Sequence, residues 1–157
     1  MRKRLITPTQ ETVRSREEQW LDVERVATIE FTSEAKDYPV ESAFVTGESP
    51  GWRAGTPGPQ TIRLVFDQPQ KLKLISLVIE ENETARTQEF LLRWSRDNGS
   101  SYKEIARQQW NFSPPETIRE AEEYQVDLSN VTVLELFVVP ELGGGATRAS
   151  LKSLRLL

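Results

Sequence analysis

The sequence predicts an all-β domain, an antiparallel sandwich or barrel of about eight strands. Three observations predict it. Apolar residues recur with a period of two from Val26 onward. Clusters of Gly, Pro, Asn, Asp and Ser break that alternation at short intervals. No internal stretch carries apolar residues at helical spacing for the length of a helix. The 157 residues suit one domain, long enough to enclose a core without cross-links.

Residues 1–25 are polar and charged and are expected to form an N-terminal arm. Thr7 or Thr9 beside Pro8 offers a helix start. Val13, Trp20 and Leu21 make only a thin apolar stripe, so the segment reads as an extended arm or a short helix, with Trp20 anchoring it to the body. The domain proper is expected over 26–157. RVATIEFTS alternates as a first strand and ESAFV as a short second one. TGESPGWRAGTPGP holds four glycines and three prolines in fourteen residues and reads as a long loop, of the kind that tends to carry function.

QTIRLVF is a strand, DQPQ a turn, and KLKLISLVIEE a central strand with apolar residues on both faces. Glu80, Glu81, Glu83 and Arg86 then read as a solvated charged turn. TQEFLLRWS places Phe90, Leu92 and Trp94 on one buried face. RDNGSS is a hairpin turn, with Asn98-Gly99 suited to positive φ. SYKEIARQQWNF follows as a strand, and SPPETIREAEEY as a polar connection that extends a strand into YQVDL. VTVLELFVVP, the glycine loop ELGGGATR and ASLKSLRLL close the chain.

Composition removes whole classes of chemistry. With no cysteine and no histidine, thiolate nucleophiles, Ser-His-Asp sites and ordinary zinc sites are excluded. A formal net charge of −4 argues against nucleic acid and anionic membranes as partners, because both need a basic patch. The acids are scattered on turns and outward strand positions, so no enzyme, metal or cofactor is expected. The basic start MRKR is followed by no apolar h-region, which makes the cytoplasm the expected location.

Four stretches taken in order resemble a known family. They are TSEAKDYPVESAF (32–44), GWRAGTPGPQTIRLVF (51–66), FLLRWSRDNGSSY (90–102) and the closing VTVLELFVVPELGGGATRASLKSLRLL. Together they resemble a discoidin, or coagulation-factor C-type, domain of the galactose-binding-like superfamily. The resemblance implies a jelly-roll β-sandwich that binds through loops at one end. Many such domains hold a structural calcium. Here Val45 and the pair Lys152-Ser153 stand where its oxygen donors would fall, so no calcium is expected. Glu34 and Asp37 read as solvated loop acids.

Sugar recognition needs an aromatic face for the C–H side of a pyranose and planar polar groups for its hydroxyls. Trp52 and Arg53, in the long loop, are the first candidates. Trp52 reads more readily as a plug for the end of the sandwich, which leaves Arg53 as the better contact. The second set lies in RQQWNFSPP. By the period of two, Gln108, Trp110 and Phe112 share one face, and Gln109 and Asn111 the other. Phe112 is expected in the core, Trp110 near the rim, and Gln109 with Asn111 open to a partner. The predicted function is a noncatalytic binding module for carbohydrate; the alternative is an intracellular protein-interaction or scaffold module of the same fold.

Overall fold

A computed structural model of the chain describes residues 2–3, 20–45, 47–81, 84–116 and 118–157. Most of the expected arm therefore lies outside the described residues. Its end does not. A single helical turn, α1 (Val23–Val26), buries Val23, and the Leu21 amide donates to the Leu156 carbonyl at 2.8 Å. Trp20 is half-buried there.

Eight strands follow among the described residues: β1 (Ala27–Phe31), β2 (Trp52–Arg53), β3 (Gln60–Glu80), β4 (Arg86–Ser95), β5 (Lys103–Phe112), β6 (Arg119–Val139), β7 (Ser150–Leu151) and β8 (Ser153–Leu156). All strand pairings are antiparallel. The two 21-residue strands, β3 and β6, organise the rest. Their register breaks between Val65 and Leu74, and Asn130 opposite that region has φ 60°. Bulges of this kind let one strand turn a corner from one layer to another. The front layer runs β1–β3–β6–β4–β5 through residues 60–66 and 133–139, and the back layer runs β8–β3–β6 through 75–80 and 119–125.

The alternation read from the sequence matches the buried faces. Ile62 and Leu64 from the front of β3, Ile75, Leu77 and Ile79 from its back, and Phe90 and Leu92 from β4 are all at most 1% exposed and belong to one core. Trp94 joins them at 7%. The hairpin after β4 turns through Asn98 (φ 58°) and Gly99 (φ 90°), as the Asn-Gly pair predicts.

Four expectations need correction. ESAFV is no strand: Val40–Ala43 form a 3-10 turn that buries Val40 and Ala43. DQPQ is no chain reversal: it is the bulged corner inside β3, where Pro69 needs no ladder donor. The polar connection after β5 is shorter than expected, since β6 starts at Arg119 and is paired from there. The charged turn is solvated at Glu80, whose side chain is 38% exposed, but not at Glu81 and Arg86. Glu83 lies outside the described residues, but the side chains of Glu81 and Arg86 are 2% and 0% exposed and form an ion pair at 2.6 Å.

A row of charges crosses the outer face of the front layer. Glu30, Arg63, Glu135 and Arg93 stand opposite one another on β1, β3, β6 and β4. Arg63 reaches Glu30 at 3.0 Å and Glu135 at 2.9 Å, and Arg93 reaches Glu135 at 2.7 Å. Glu135 is 3% exposed, roofed by its two arginines, and Arg93 lies 4.0 Å over the Tyr102 ring. Opposite charges placed directly across a sheet stabilise its register.

Candidate functional site

The long loop is held by its own polar groups. Ser33 Oγ and Thr32 Oγ1 both donate to Gln60 Oε1, at 2.7 and 2.6 Å, and Ser33 Oγ accepts from the Gly55 amide at 3.0 Å. Trp52 hangs from the same point, its indole N–H donating to the Ser33 carbonyl at 2.9 Å. Further along, Lys152 Nζ donates to the Ser49 carbonyl at 2.6 Å, and the Ser49 hydroxyl bonds the Ser42 carbonyl. Gly51 (φ 75°) is required there, because a Cβ would sit 2.7 Å from the Leu151 carbonyl oxygen.

These ties shape a cleft of about 260 Å³ between the 38–53 region, the end of β3 and the β7–β8 segment. Trp52 and Leu151 form its apolar base, and Tyr38, Arg53, Glu80 and Lys152 its polar rim. Tyr38 is 37% exposed and the Arg53 guanidinium lies 5.6 Å from its ring centroid. The Arg53 amide donates to the Tyr38 carbonyl at 3.3 Å, which fixes one beside the other. Glu80 pairs with Arg119 at 3.1 Å, while Ser150 Oγ donates to the Glu80 carbonyl at 3.0 Å.

Beneath the rim lies the Glu81–Arg86 pair. Arg86 also donates to the Arg148 carbonyl at 2.6 Å and to Ser150 Oγ at 3.4 Å. Glu81 accepts from the Thr84 amide at 3.0 Å and stands 4.0 Å from Arg53. The pair is a buried anchor that ties β3, β4 and β7 together and sets the position of Arg53. The cleft can therefore present an aromatic face, a fork of N–H donors, a carboxylate acceptor and an ammonium to one small polar ligand.

No protein-family model matches the chain, and no curated protein does. Solved structures do. The family 32 carbohydrate-binding module of Clostridium perfringens NanJ, in complex with galactose, superposes with a TM-score of 0.60 over 87% of this chain and 96% of that one, at 14% identity. The fifth such module of the C. perfringens protein CpGH89, in complex with GalNAc-β-1,3-galactose, gives 0.62 over 88% and 99%, at 18% identity. The module of AlyQ, in complex with 4,5-unsaturated mannuronic acid, gives 0.59 over 84% and 95%, at 14% identity.

The fold is that of the family 32 carbohydrate-binding modules.

These modules share the discoidin-like jelly roll that the four sequence stretches imply. Some of the matched domains are portions of larger enzymes, such as a Ruminococcus gnavus fucosidase. Within this module-like frame the five residues proposed from sequence separate into two places. Trp52 and Arg53 line the cleft. Trp52 offers no stacking face, because it is 1% exposed and its ring is the cleft base. Trp110 is 8% exposed, so it is core rather than rim. It packs edge-on against Phe90 at 4.8 Å, and its indole N–H donates to Gln108 Oε1 at 3.1 Å. Gln109 and Asn111 are exposed on the outer face of β5, bonded to Glu89 (3.3 Å) and Thr87 (2.7 Å) of β4. They do not line the cleft.

Tyr38, Glu80 and Lys152 are the cleft residues that sequence reasoning passed over. Tyr38 carried a usable signal: an aromatic before Pro39, in a stretch with no alternation to bury it. Glu80 and Lys152 carried none, since only the fold brings the end of β3 to the β7–β8 junction.

Proposed function

We propose that the chain is a noncatalytic binding module that takes a saccharide in the Tyr38–Arg53 cleft. One observation carries the reading: an exposed tyrosine ring with a guanidinium fixed beside it, above a base of Trp52 and Leu151, in a cleft the size of one sugar ring. Tyr38 supplies a face for C–H stacking, and Arg53, Glu80 and Lys152 supply donors and acceptors for hydroxyls. The sugars bound by the structural neighbours support the class of ligand. The absence of catalysis is part of the proposal: Glu80 of the cleft is held by Arg119 and Glu81 beneath it by Arg86, so neither carboxylate is arranged as an acid or a base.

Isothermal titration with galactose, N-acetylgalactosamine and uronic acids tests it. The expected result is a dissociation constant in the micromolar to millimolar range, weakened about tenfold or more by Tyr38→Ala and by Arg53→Ala. Silence across the panel at millimolar concentrations would remove the reading.

A further inference from the structure

A second cleft, also of about 260 Å³, opens at the hairpin between β4 and β5, lined by Trp94, Arg96, Asp97, Ser101 and Lys103. We propose that it is a second, separate binding site, which takes the carboxylate or sulfate group of an acidic saccharide at Arg96 and Lys103.

Lys103 stands directly opposite Trp94 in the β4–β5 register, which puts both side chains on the same face of the sheet. Its ammonium lies 5.9 Å from the ring centroid, and the Arg96 guanidinium lies 5.5 Å from it. Among the described residues neither cation has a carboxylate partner. Arg63, Arg93, Arg107 and Arg119 all do, at 2.9, 2.7, 2.9 and 3.1 Å. The cleft also holds one acid, Asp97, bonded within the turn. Asp97 Oδ1 accepts from Ser95 Oγ at 2.6 Å and from the Ser101 amide at 2.9 Å, and Oδ2 accepts from Ser101 Oγ at 2.6 Å. Asp97 builds the turn and keeps its negative charge, so the lining carries two cations and one anion, a net charge of +1.

That net positive charge favours an anion, and the planar fork of Arg96 suits a carboxylate or sulfate. Trp94 belongs to the core at 7% exposure yet lines the cleft, so its indole reports on what binds there. The saccharide class rests on the function proposed above; the requirement for an anion does not. Arg86, beside the first cleft, and Ser95, beside the second, are the two ends of β4. Ten extended residues separate the clefts by about 30 Å, too far for one sugar ring to touch both. A chain with a site at each end can bridge two saccharides or hold two points of one polymer, gaining affinity through linkage.

The test uses the full chain with 15N-labelled tryptophan, followed by the indole N–H resonance of Trp94. Tri-galacturonic acid, a sulfated disaccharide, inorganic sulfate and galactose are titrated separately. The Trp94 signal is expected to move with one or both acidic saccharides and not with galactose. The response is expected to weaken about tenfold or more in the Arg96→Ala/Lys103→Ala double variant and to persist in Arg53→Ala. Persistence in Arg53→Ala separates this site from the first cleft, whose own failure would leave the Trp94 response intact. A Trp94 signal unmoved by both acidic saccharides, or an undiminished response in the double variant, overturns the proposal. Inorganic sulfate acting as strongly as the saccharides overturns the saccharide class.

Discussion

Replacing Glu81 by alanine leaves the guanidinium of Arg86 charged and enclosed, with its side chain 0% exposed. Breaking a buried pair by removing one partner costs about 3–5 kcal/mol, because the remaining charge loses its compensation out of reach of water. Arg86 keeps its bonds to the Arg148 carbonyl and Ser150 Oγ, which places Glu81→Ala toward about 3 kcal/mol. A domain of this size typically has about 5–15 kcal/mol in all, and each kcal/mol moves the melting temperature by about 2–4 °C. A fall of about 6–12 °C is therefore expected. Urea unfolding of wild type, Glu81→Gln and Glu81→Ala measures it, with a lower midpoint and an unchanged slope as the mark of lost stability. Glu81→Gln keeps an oxygen acceptor for the Thr84 amide and should fall between the other two. The double replacement Glu81→Leu/Arg86→Met removes both charges and should lie within about 2 kcal/mol of wild type, since it leaves no buried charge unpaired. A Glu81→Ala protein within about 1 kcal/mol of wild type would refute the claim that this pair is held out of water.

Further outcomes follow from other sites. Gly51→Ala should destabilise by at least about 2 kcal/mol, from positive φ and from the carbonyl in its path, and should also weaken any ligand of the first cleft. Glu135→Ala should cost about 1–3 kcal/mol by urea unfolding, the lower part of the range reflecting the 38% and 36% exposure of Arg63 and Arg93. The hydroxyls of Ser101 and Ser95 hold the Asp97 carboxyl down at about 2, below its ordinary 3.8. A carboxylate depressed in the folded state stabilises above pH 3.8 and loses that contribution as pH falls toward 2. Asp97→Asn should therefore melt below wild type at neutral pH, and the gap should close in thermal melts near pH 2. Burial, and next the charge of Glu122, push the Tyr124 phenol up to about 12. A raised acid of this kind contributes stability up to its ordinary value of 10 and loses it as pH climbs through 12, so Tyr124→Phe should flatten the alkaline limb of the stability profile.

The sequence by itself determined the strand class, the inward faces and the hairpin. Residue type and spacing of two decide which side of a pleat is apolar, as Ile62/Leu64 and Phe90/Leu92/Trp94 show, and Asn98-Gly99 satisfies positive φ locally. It also marked Trp52-Arg53 as a place of interest, because a Gly/Pro-rich loop with an aromatic and a cation has no core pattern to serve. Only the tertiary structure decided which loops meet. Glu81 and Arg86 look like a solvated tip in one dimension; they are buried because the β7 segment, more than sixty residues away, covers them at Arg148 and Ser150. Tyr38 comes to Arg53, Glu80 to Ser150, and Trp110 to Phe90 for the same reason. Periodicity reports the face a residue takes on its own strand, whereas a site is made where distant segments converge. That convergence depends on where β3 and β6 bend, and the bend rests on bulges whose residues, such as Asp67–Gln70, read locally as an ordinary turn.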